Sequence, residues 1–232
     1  MKYPAAVRSG LLGLLFALAA AAHAQTARAE AWTEGRHFEV ISPAQRTTVP
    51  AGKVEVMEVF SYGCIACNAF QPAIAALERS LPANAQMVFL PASFNPAEDW
   101  PMLQRAYFTA QALGVASRTH QGMFDAVWKT GELGISDPAT RRLKNPQPSI
   151  EAAAKCYEHL AGIRPEVFLA TARSFAVDLK MHAADAQIEA MHVPSTPCIV
   201  VNGKYRIVMD SLQSQDDLNG LVRYLVDRES RH

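Results

Sequence analysis

The sequence lacks net charge, a long apolar run beyond its first residues and any surplus of cysteine. Its 232 residues carry 22 Lys and Arg against 22 Asp and Glu. A near-neutral surface disfavours nucleic acid or an acidic membrane as the main partner. After the N-terminal segment, no apolar run approaches the ~20 residues that a membrane-spanning helix needs. Of the four cysteines, none forms a second C-x-x-C, so a zinc site built from two such pairs is disfavoured. We expect no metal and no bound cofactor.

The first residues have the pattern of an export signal. Lys2 and Arg8 make a basic start, Leu11 to Ala22 is apolar, and Ala22-His23-Ala24 fits a cleavage site. The apolar run of twelve residues is too short to span a bilayer. We predict that residues 1–24 are a signal peptide. Removal leaves 208 residues and moves the net charge from 0 to −2, because two cations and no acid are lost. The predicted compartment is the bacterial periplasm, which is oxidising.

The most informative feature that is present is Cys64-Ile65-Ala66-Cys67, placed between a β-type run and a helical pattern. A helix N-terminus there would bring unpaired amides and a positive dipole end to the first sulfur, which favours thiolate over thiol. The second sulfur would lie one turn further on. Since the thiolate is the reacting species in disulfide exchange, the pattern predicts a redox-active pair rather than a static disulfide. We expect Cys64 to be accessible with a lowered pKa, in the upper half of the range from about 3.5 to about 7, and Cys67 to be shielded.

The order of predicted elements indicates an α/β architecture. Strand and helix patterns follow one another at residues 37–41, 53–60, 68–80 and 86–90, then helices at 99–113, 118–129, 149–161 and 165–191, and finally strands at 198–201 and 204–209 with a helix at 216–227. Asn202-Gly203 between two apolar runs predicts a hairpin. This order predicts a thioredoxin fold with an inserted all-helical domain. The thioredoxin-like domain would be discontinuous, 25–95 and 192–232, and the insertion would span 96–191.

The chain resembles the DsbA family of exported thiol:disulfide oxidoreductases. The matching stretches are Glu58 to Gly63 followed by C-x-x-C, Val88-Phe89-Leu90, Gln111 to Val115, and Pro197 to Tyr205. The likeness covers nearly the whole mature chain in the family's order. One departure is the dipeptide between the cysteines, which is Ile65-Ala66 where the best-known members have Pro-His. Loss of that imidazole removes a source of thiolate stabilisation, so we predict a weaker oxidant.

The resemblance also implies functions for single residues. Cys64 would be the attacking sulfur and Cys67 the buried resolving sulfur. Pro197 would be a cis-proline beside the disulfide, and Thr196 before it would present backbone to the substrate. Glu58 would be a buried acid below the active site. The implied reoxidation partner is a quinone-linked membrane oxidase of the DsbB type.

Two of these assignments have alternatives when they are judged from the residues, and so has the state of the two remaining cysteines. Glu58 lies in a strand that should be buried, where a carboxyl has a raised pKa and can accept the Cys67 proton; Glu55, interpreted as lying at the exposed end of the same strand, suggests an exposed carboxylate instead. Pro194 competes with Pro197 for the cis bond, but Pro197 directly precedes the returning strand. The even cysteine count permits a second disulfide; we predict instead that the two remaining cysteines, Cys156 and Cys198, are reduced and buried.

The leading functional prediction is a periplasmic thiol:disulfide oxidoreductase, an enzyme that donates the Cys64–Cys67 disulfide to reduced or unfolded exported proteins through a mixed disulfide. It would act as a monomer and bind no nucleic acid. One alternative keeps the fold and reverses the electron flow, giving a reductase or isomerase. Isomerases of this kind carry a separate dimerisation domain, for which residues 25–52 are too short. A non-enzymatic alternative is a holdase that binds unfolded exported chains.

Overall fold

The computed structural model describes residues 32–231, so the predicted signal peptide lies outside the described part of the chain. The strands are β1 (Phe38–Val40), β2 (Val54–Phe60), β3 (Ala85–Pro91), β4 (Cys198–Val201) and β5 (Tyr205–Ile207). The α-helices are α1 (Ile65–Ser80), α2 (Trp100–Ala112), α3 (Ala116–Trp128), α4 (Ile150–Ala161), α5 (Pro165–Ala172), α6 (Phe175–Ala190) and α7 (Gln215–Glu229). Among these residues, no helix is long and apolar enough to cross a membrane.

The five strands form one sheet in the order β1-β5-β4-β2-β3. β2 and β3 are parallel and joined through α1, which makes the predicted β-α-β unit. β4 pairs antiparallel with β2, and β5 pairs antiparallel with β4 and β1. All seven residues of β2 are buried, because the strand has neighbours on both sides and helices over both faces.

Two hydrophobic cores lie on opposite faces of the sheet. Val54 and Val56 of β2 pack with α1 and α7 in the smaller core. Met57 and Val59 belong to the larger core, which contains side chains from α2 to α6. The architecture is a thioredoxin fold with a helical insertion between β3 and β4, as predicted. The exact domain boundaries, 96 and 191, stay predictions.

The predicted helix over residues 165–191 is wrong in one respect, because it is two helices. Ser174 has extended backbone angles, φ −77° and ψ 146°, and its side chain accepts a hydrogen bond from the N–H of Val177. It therefore caps α6 and ends the continuity with α5. Phe168 and Ala172 are buried before the break, whereas Phe175 is exposed after it. Apolar spacing continues through Ser174, so the periodicity alone gave no sign of the break.

The predicted hairpin between β4 and β5 is confirmed. Asn202 and Gly203 both have positive φ, 53° and 61°, and the N–H of Lys204 donates to the Val201 carbonyl at 3.0 Å, as in a type I′ turn. Lys204 makes the connection three residues long, since Val201 pairs with Tyr205. Gly203 is also in a tight place, since a Cβ there would lie 2.3 Å from the carbonyl oxygen of Gln45. The turn therefore needs glycine for both backbone conformation and space.

The interpretation of Glu55 as an exposed acid is wrong. Its side chain is fully buried, and Oε2 accepts hydrogen bonds of 2.7 Å from both the N–H and the hydroxyl of Thr48. The loop before β2 folds back over the strand and supplies these donors. A buried carboxyl at the start of β2 is thus held by specific hydrogen bonds.

Candidate active site

Cys64 stands at the junction of β2 and α1. After β2 ends at Phe60, a short turn brings the chain to Cys64, whose N–H donates to the carbonyl of Ser61 at 3.1 Å. Cys64 is the N-cap of α1, and its sulfur accepts a hydrogen bond of 3.1 Å from the N–H of Cys67. The helix begins three residues earlier than its apolar periodicity predicted, so the C-x-x-C motif forms its first turn.

The pKa values of the two thiols of the motif are shifted in opposite directions. The pKa of Cys64 is lowered from 9.0 to about 6, first by the hydrogen bond from the Cys67 thiol and then by Thr196 and the backbone N–H groups of Cys67 and Ala66, against the effect of burial. Burial, followed by interaction with Cys64, raises the pKa of Cys67 far above its ordinary value. The predicted lowering at Cys64, including its range, and the shielding of Cys67 agree with this structure.

The predicted accessibility of Cys64 needs correction. Cys64 is 6% exposed and Cys67 is 0% exposed, so the first sulfur is only slightly more open than the second. The reason is that the Thr196 segment covers it, with the Thr196 carbonyl oxygen 3.5 Å from the Cys64 sulfur. By contrast, Ile65 is 67% exposed beside the sulfur. A substrate would therefore approach Cys64 through a narrow opening with an apolar side chain at its rim.

Pro197 directly follows Thr196, whose carbonyl oxygen lies 3.5 Å from the Cys64 sulfur. The Thr196–Pro197 bond is cis and the Val193–Pro194 bond is trans, as predicted. Further cis prolyl bonds occur at Pro43 and Pro146, which no local sequence pattern had indicated. The structure thus brings Cys64, Cys67, Thr196 and Pro197 together at one end of the sheet.

Glu58 lies two residues before the end of β2 and is completely buried. Neither of its carboxyl oxygens has a hydrogen-bond partner among residues 32–231. Its pKa is raised well above 4.5, mainly because burial disfavours the charged form and further because the Cys64 thiolate is close. The exposed alternative for Glu58 is therefore wrong. A buried carboxyl without hydrogen-bond partners keeps its proton to a higher pH than an exposed one.

The aromatic residues around the active-site turn are mostly core residues. Phe60 and Tyr62 are fully buried and Trp100 is 8% exposed, whereas Phe94 is 44% exposed. Trp100 and Phe94 still contact each other, with ring centroids 6.4 Å apart. Of these four rings, Phe94 is the one with a large exposed surface.

His120 is a site residue that sequence reasoning missed. It is buried among aromatic rings, and its Nδ1 lies 3.1 Å from the hydroxyl of Tyr62, which lies two residues before Cys64 in the active-site turn. Burial lowers its pKa to about 4. The available signal was its spacing with Phe124 and Trp128, at intervals of four residues on one face of α3.

All four cysteines lie in the described part of the chain and are free thiols. Cys156 and Cys198 are buried, as predicted, and burial raises the pKa of each to about 12. The sulfur of Cys156 packs 3.8 Å from that of Met123. Between residues 32 and 231, no group of three or more His, Cys, Asp or Glu is placed to hold a metal ion.

A dithiol on the first turn of a helix, next to a prolyl loop in a thioredoxin fold, defines the class of thiol:disulfide oxidoreductases. Comparison with known proteins gives the family. The chain is 32% identical to the thiol:disulfide interchange protein DsbA of Pseudomonas aeruginosa over 203 residues, which is 88% of each chain. It is 31% identical to DsbA of Azotobacter vinelandii, over 84% of this chain and 83% of the relative. No protein-family model matches.

Solved structures agree. The crystal structure of P. aeruginosa DsbA has a TM-score of 0.72 and 31% identity over 87% of this chain and 96% of the other. That of the oxidoreductase DsbA from Xylella fastidiosa has a TM-score of 0.71 and 30% identity over 84% and 96%. The chain belongs to the DsbA family. It is a thiol:disulfide oxidoreductase, and its activity is that of a protein disulfide oxidase.

Proposed function

We propose that this oxidase acts on reduced or unfolded exported proteins and that Cys64 is the sulfur that forms the mixed disulfide. The observation that supports this assignment most is the pKa of Cys64, about 6, beside a Cys67 whose pKa is raised. A sulfur with a low pKa is the better leaving group and the more stable thiolate. Only Cys64 combines that property with an opening to the surface.

The exchange proceeds in two steps. A substrate thiolate attacks the Cys64 sulfur of the oxidised pair, the Cys64–Cys67 bond breaks, and Cys67 leaves as a thiolate. The substrate's second thiolate then attacks its own sulfur in the mixed disulfide, and Cys64 leaves as a thiolate. The substrate loses two electrons and gains a disulfide, while the enzyme pair gains both electrons.

Proton movement is assigned to Cys67 and Glu58. Because the pKa of Cys67 is raised, this sulfur takes up a proton when it leaves as a thiolate. During reoxidation it must lose that proton again in order to attack. Glu58 is the acceptor we propose, since its carboxyl is buried, has no hydrogen-bond partner within residues 32–231 and carries a raised pKa.

Thr196 and Pro197 are proposed to position the substrate. The Thr196 carbonyl oxygen lies 3.5 Å from the Cys64 sulfur, and Pro197 follows it directly through a cis bond. A substrate segment running past the mixed disulfide would donate its backbone N–H to Thr196. Ile65, exposed at the rim, would contact an apolar side chain next to the substrate cysteine.

The setting we propose is the periplasm, after removal of residues 1–24. Each turnover leaves the enzyme with two electrons, so an acceptor is needed, and a DsbB-like membrane quinone reductase is the proposed one. The sulfur pair itself is the only redox group proposed; no other cofactor is required by the chemistry. The protein would act as a monomer and bind no nucleic acid.

Oxidative refolding of a reduced protein substrate tests this function. Cys64→Ser should abolish the reaction, whereas Cys156→Ser, which removes a buried thiol of another element, should keep it. If the Cys64→Ser variant accelerated refolding as well as the parent, the exchange mechanism would be wrong and a holdase would be favoured.

Trapping the redox state of Cys64 in intact cells tests the direction of electron flow. A largely oxidised pair supports a donor, and a largely reduced pair supports a reductase or isomerase.

A further inference from the structure

The turn that carries Cys64 is held from outside the thioredoxin part of the molecule. Tyr62 lies at its centre, between the end of β2 and the start of α1. Within the turn, the N–H of Gly63 donates to the Ser61 hydroxyl at 3.1 Å, and the N–H of Cys64 donates to the Ser61 carbonyl at 3.1 Å. The carbonyl of Tyr62 instead accepts a hydrogen bond from a residue of the helical insertion.

One face of α3 contacts Tyr62 at both of its ends. The indole N–H of Trp128 donates to the Tyr62 carbonyl at 2.8 Å. The imidazole of His120 lies 3.1 Å from the Tyr62 hydroxyl, and the ring of Phe124 packs edge to face on the Tyr62 ring with centroids 5.0 Å apart. These three residues recur every four positions, so a single rigid helix fixes the backbone and the side chain of Tyr62 together.

The contact with His120 does not titrate in the neutral range. Burial lowers the pKa of His120 to about 4 and raises that of Tyr62 well above 10.0, so both groups stay neutral. Phe60, Phe89 and Tyr107 surround the imidazole with ring centroids 4.3 to 6.4 Å away. The hold on Tyr62 is therefore constant across the pH range in which Cys64 ionises.

α2 supports the next residue of the turn from another direction. A Cβ at Gly63 would lie 2.5 Å from the indole nitrogen of Trp100, so the indole packs directly against the Gly63 backbone. Trp100 is itself fixed by a 2.9 Å hydrogen bond to Glu98. The residue before Cys64 is thus confined by the insertion as well.

We infer that Trp128 is a positioning residue for Cys64, acting through the carbonyl of Tyr62, and that the helical insertion is in this way part of the redox site. The inference rests on the proposed role of Cys64. The sulfur is stabilised as a thiolate by groups at fixed places on α1 and in the Thr196 segment. Its distance to the N–H of Cys67, 3.1 Å, depends on where the turn delivers it. The other ionisable groups that are coupled to Cys64 are Cys67 and Glu58.

The test is the variant Trp128→Phe, which keeps an aromatic ring and removes the N–H donor. Titration of the thiolate absorbance of the reduced protein should show the Cys64 pKa higher by about half a unit, a change of roughly threefold in the thiolate-to-thiol ratio. The glutathione equilibrium should move toward the oxidised enzyme, since the reduced form loses stabilisation. Trp32→Phe is the matched control, because Trp32 packs in the core on the opposite face of the sheet; both values should stay unchanged.

An unchanged Cys64 pKa in Trp128→Phe would overturn the inference, and so would equal shifts in Trp128→Phe and Trp32→Phe. If Trp128→Phe does not fold, Trp128→Met decides, since it also removes the indole N–H and keeps a large apolar side chain; an unchanged pKa and potential there would be equally contrary. Failure of the proposed function looks different. In that case the Cys64→Ser variant would remain active whatever the pKa of Cys64 in the parent.

Discussion

At the scale of single residues, the redox chemistry depends on a buried carboxyl and on two sulfurs with opposed electrostatics. Cys64 is stabilised as a thiolate by hydrogen bonds on the first helical turn, while Cys67, one turn further in, is shielded and stays protonated. Glu58 adds a proton-binding group with no hydrogen-bond partner in the described residues. Burial is the largest cause of the raised pKa of Glu58, so the protonation of this carboxyl is coupled to the folding of the protein.

Replacement of Glu58 by Gln should change how stability depends on pH. The folded pKa of Glu58 is raised, so its contribution is present below the unfolded pKa, near 4.5, and is lost as the pH rises toward the folded pKa. Above pH ~4.5 the parent should therefore lose up to about 1.4 kcal/mol per pH unit relative to Glu58→Gln. Urea unfolding of both proteins across this range measures the difference. Glu78→Gln, an exposed site on α1, is the control and should track the parent. Parallel curves for parent and Glu58→Gln would contradict the assignment.

The dipeptide between the cysteines should set the oxidising strength. An imidazole at position 66 would be exposed beside the Cys64 thiolate, since Ala66 is exposed on the first turn of α1. In its protonated form it would stabilise the thiolate, so we expect Ala66→His to lower the Cys64 pKa below about 6 and to make the protein more oxidising. Equilibration with glutathione measures both proteins. Ala66→Gln, polar but uncharged, is the comparison; an equal effect from Gln would show that charge is not the cause.

At the scale of elements, the sequence allowed most of the fold to be predicted and only part of the site. Strand and helix patterns around Cys64 are local, so the β-α-β unit, the hairpin at Asn202-Gly203 and the position of the sulfur pair could be predicted. The break at Ser174 could not, because one capping residue interrupts a helix whose apolar spacing continues. The contact of His120 with Tyr62 could not either, because it joins residues 58 positions apart through packing of the insertion on the sheet.

The hairpin element gives a test of close packing. Gly203→Ala places a Cβ against the Gln45 carbonyl at φ 61°, whereas Gly35→Ala meets nothing within 4 Å at φ 79°. Both carry the cost of a left-handed alanine, about 1–2 kcal/mol. Only Gly203→Ala must also move backbone, so we expect it to lower the free energy of unfolding by at least about 1 kcal/mol more than Gly35→Ala. Urea unfolding of the two variants measures this difference. Equal losses of unfolding free energy would mean that the loop at Gln45 moves aside without a measurable cost.

At the scale of the whole molecule, one sheet separates two cores with different tasks. The core with α1 and α7 completes the thioredoxin part, and the core with α2 to α6 supports the active-site turn from the other face. The redox state of one sulfur pair should therefore be reflected in global stability. Since cleavage of the Cys64–Cys67 bond creates a stabilised thiolate only in the folded state, the reduced protein should gain stability that the oxidised protein lacks.

That gain should depend on pH with a defined sign. The folded pKa of Cys64, about 6, lies below the ordinary value of 9.0, so its contribution is complete above the unfolded value and is lost as the pH falls through about 6. The stability of the reduced protein relative to the oxidised one should thus rise between pH ~6 and pH ~9, by at most about 1.4 kcal/mol per unit and by less where solvent screens the thiolate. Cys156 and Cys198 are thiols in both the reduced and the oxidised protein, so their contributions cancel in the stability difference.

Urea unfolding of the reduced and oxidised forms, each at several pH values, measures this difference directly. The raised pKa of Glu58 makes the free energy of unfolding fall as the pH rises. Burial, the largest cause of that raised pKa, is common to both forms, so this contribution largely cancels in the difference. The Cys67 thiol, with its raised pKa, remains protonated in the folded state, so it opposes the trend only near and above the pKa of an unfolded thiol. A stability difference that stays constant from pH ~6 to pH ~8 would contradict the lowered pKa of Cys64. The assignment of the fold would stand, but the thermodynamic reason for this protein to act as an oxidant would be lost.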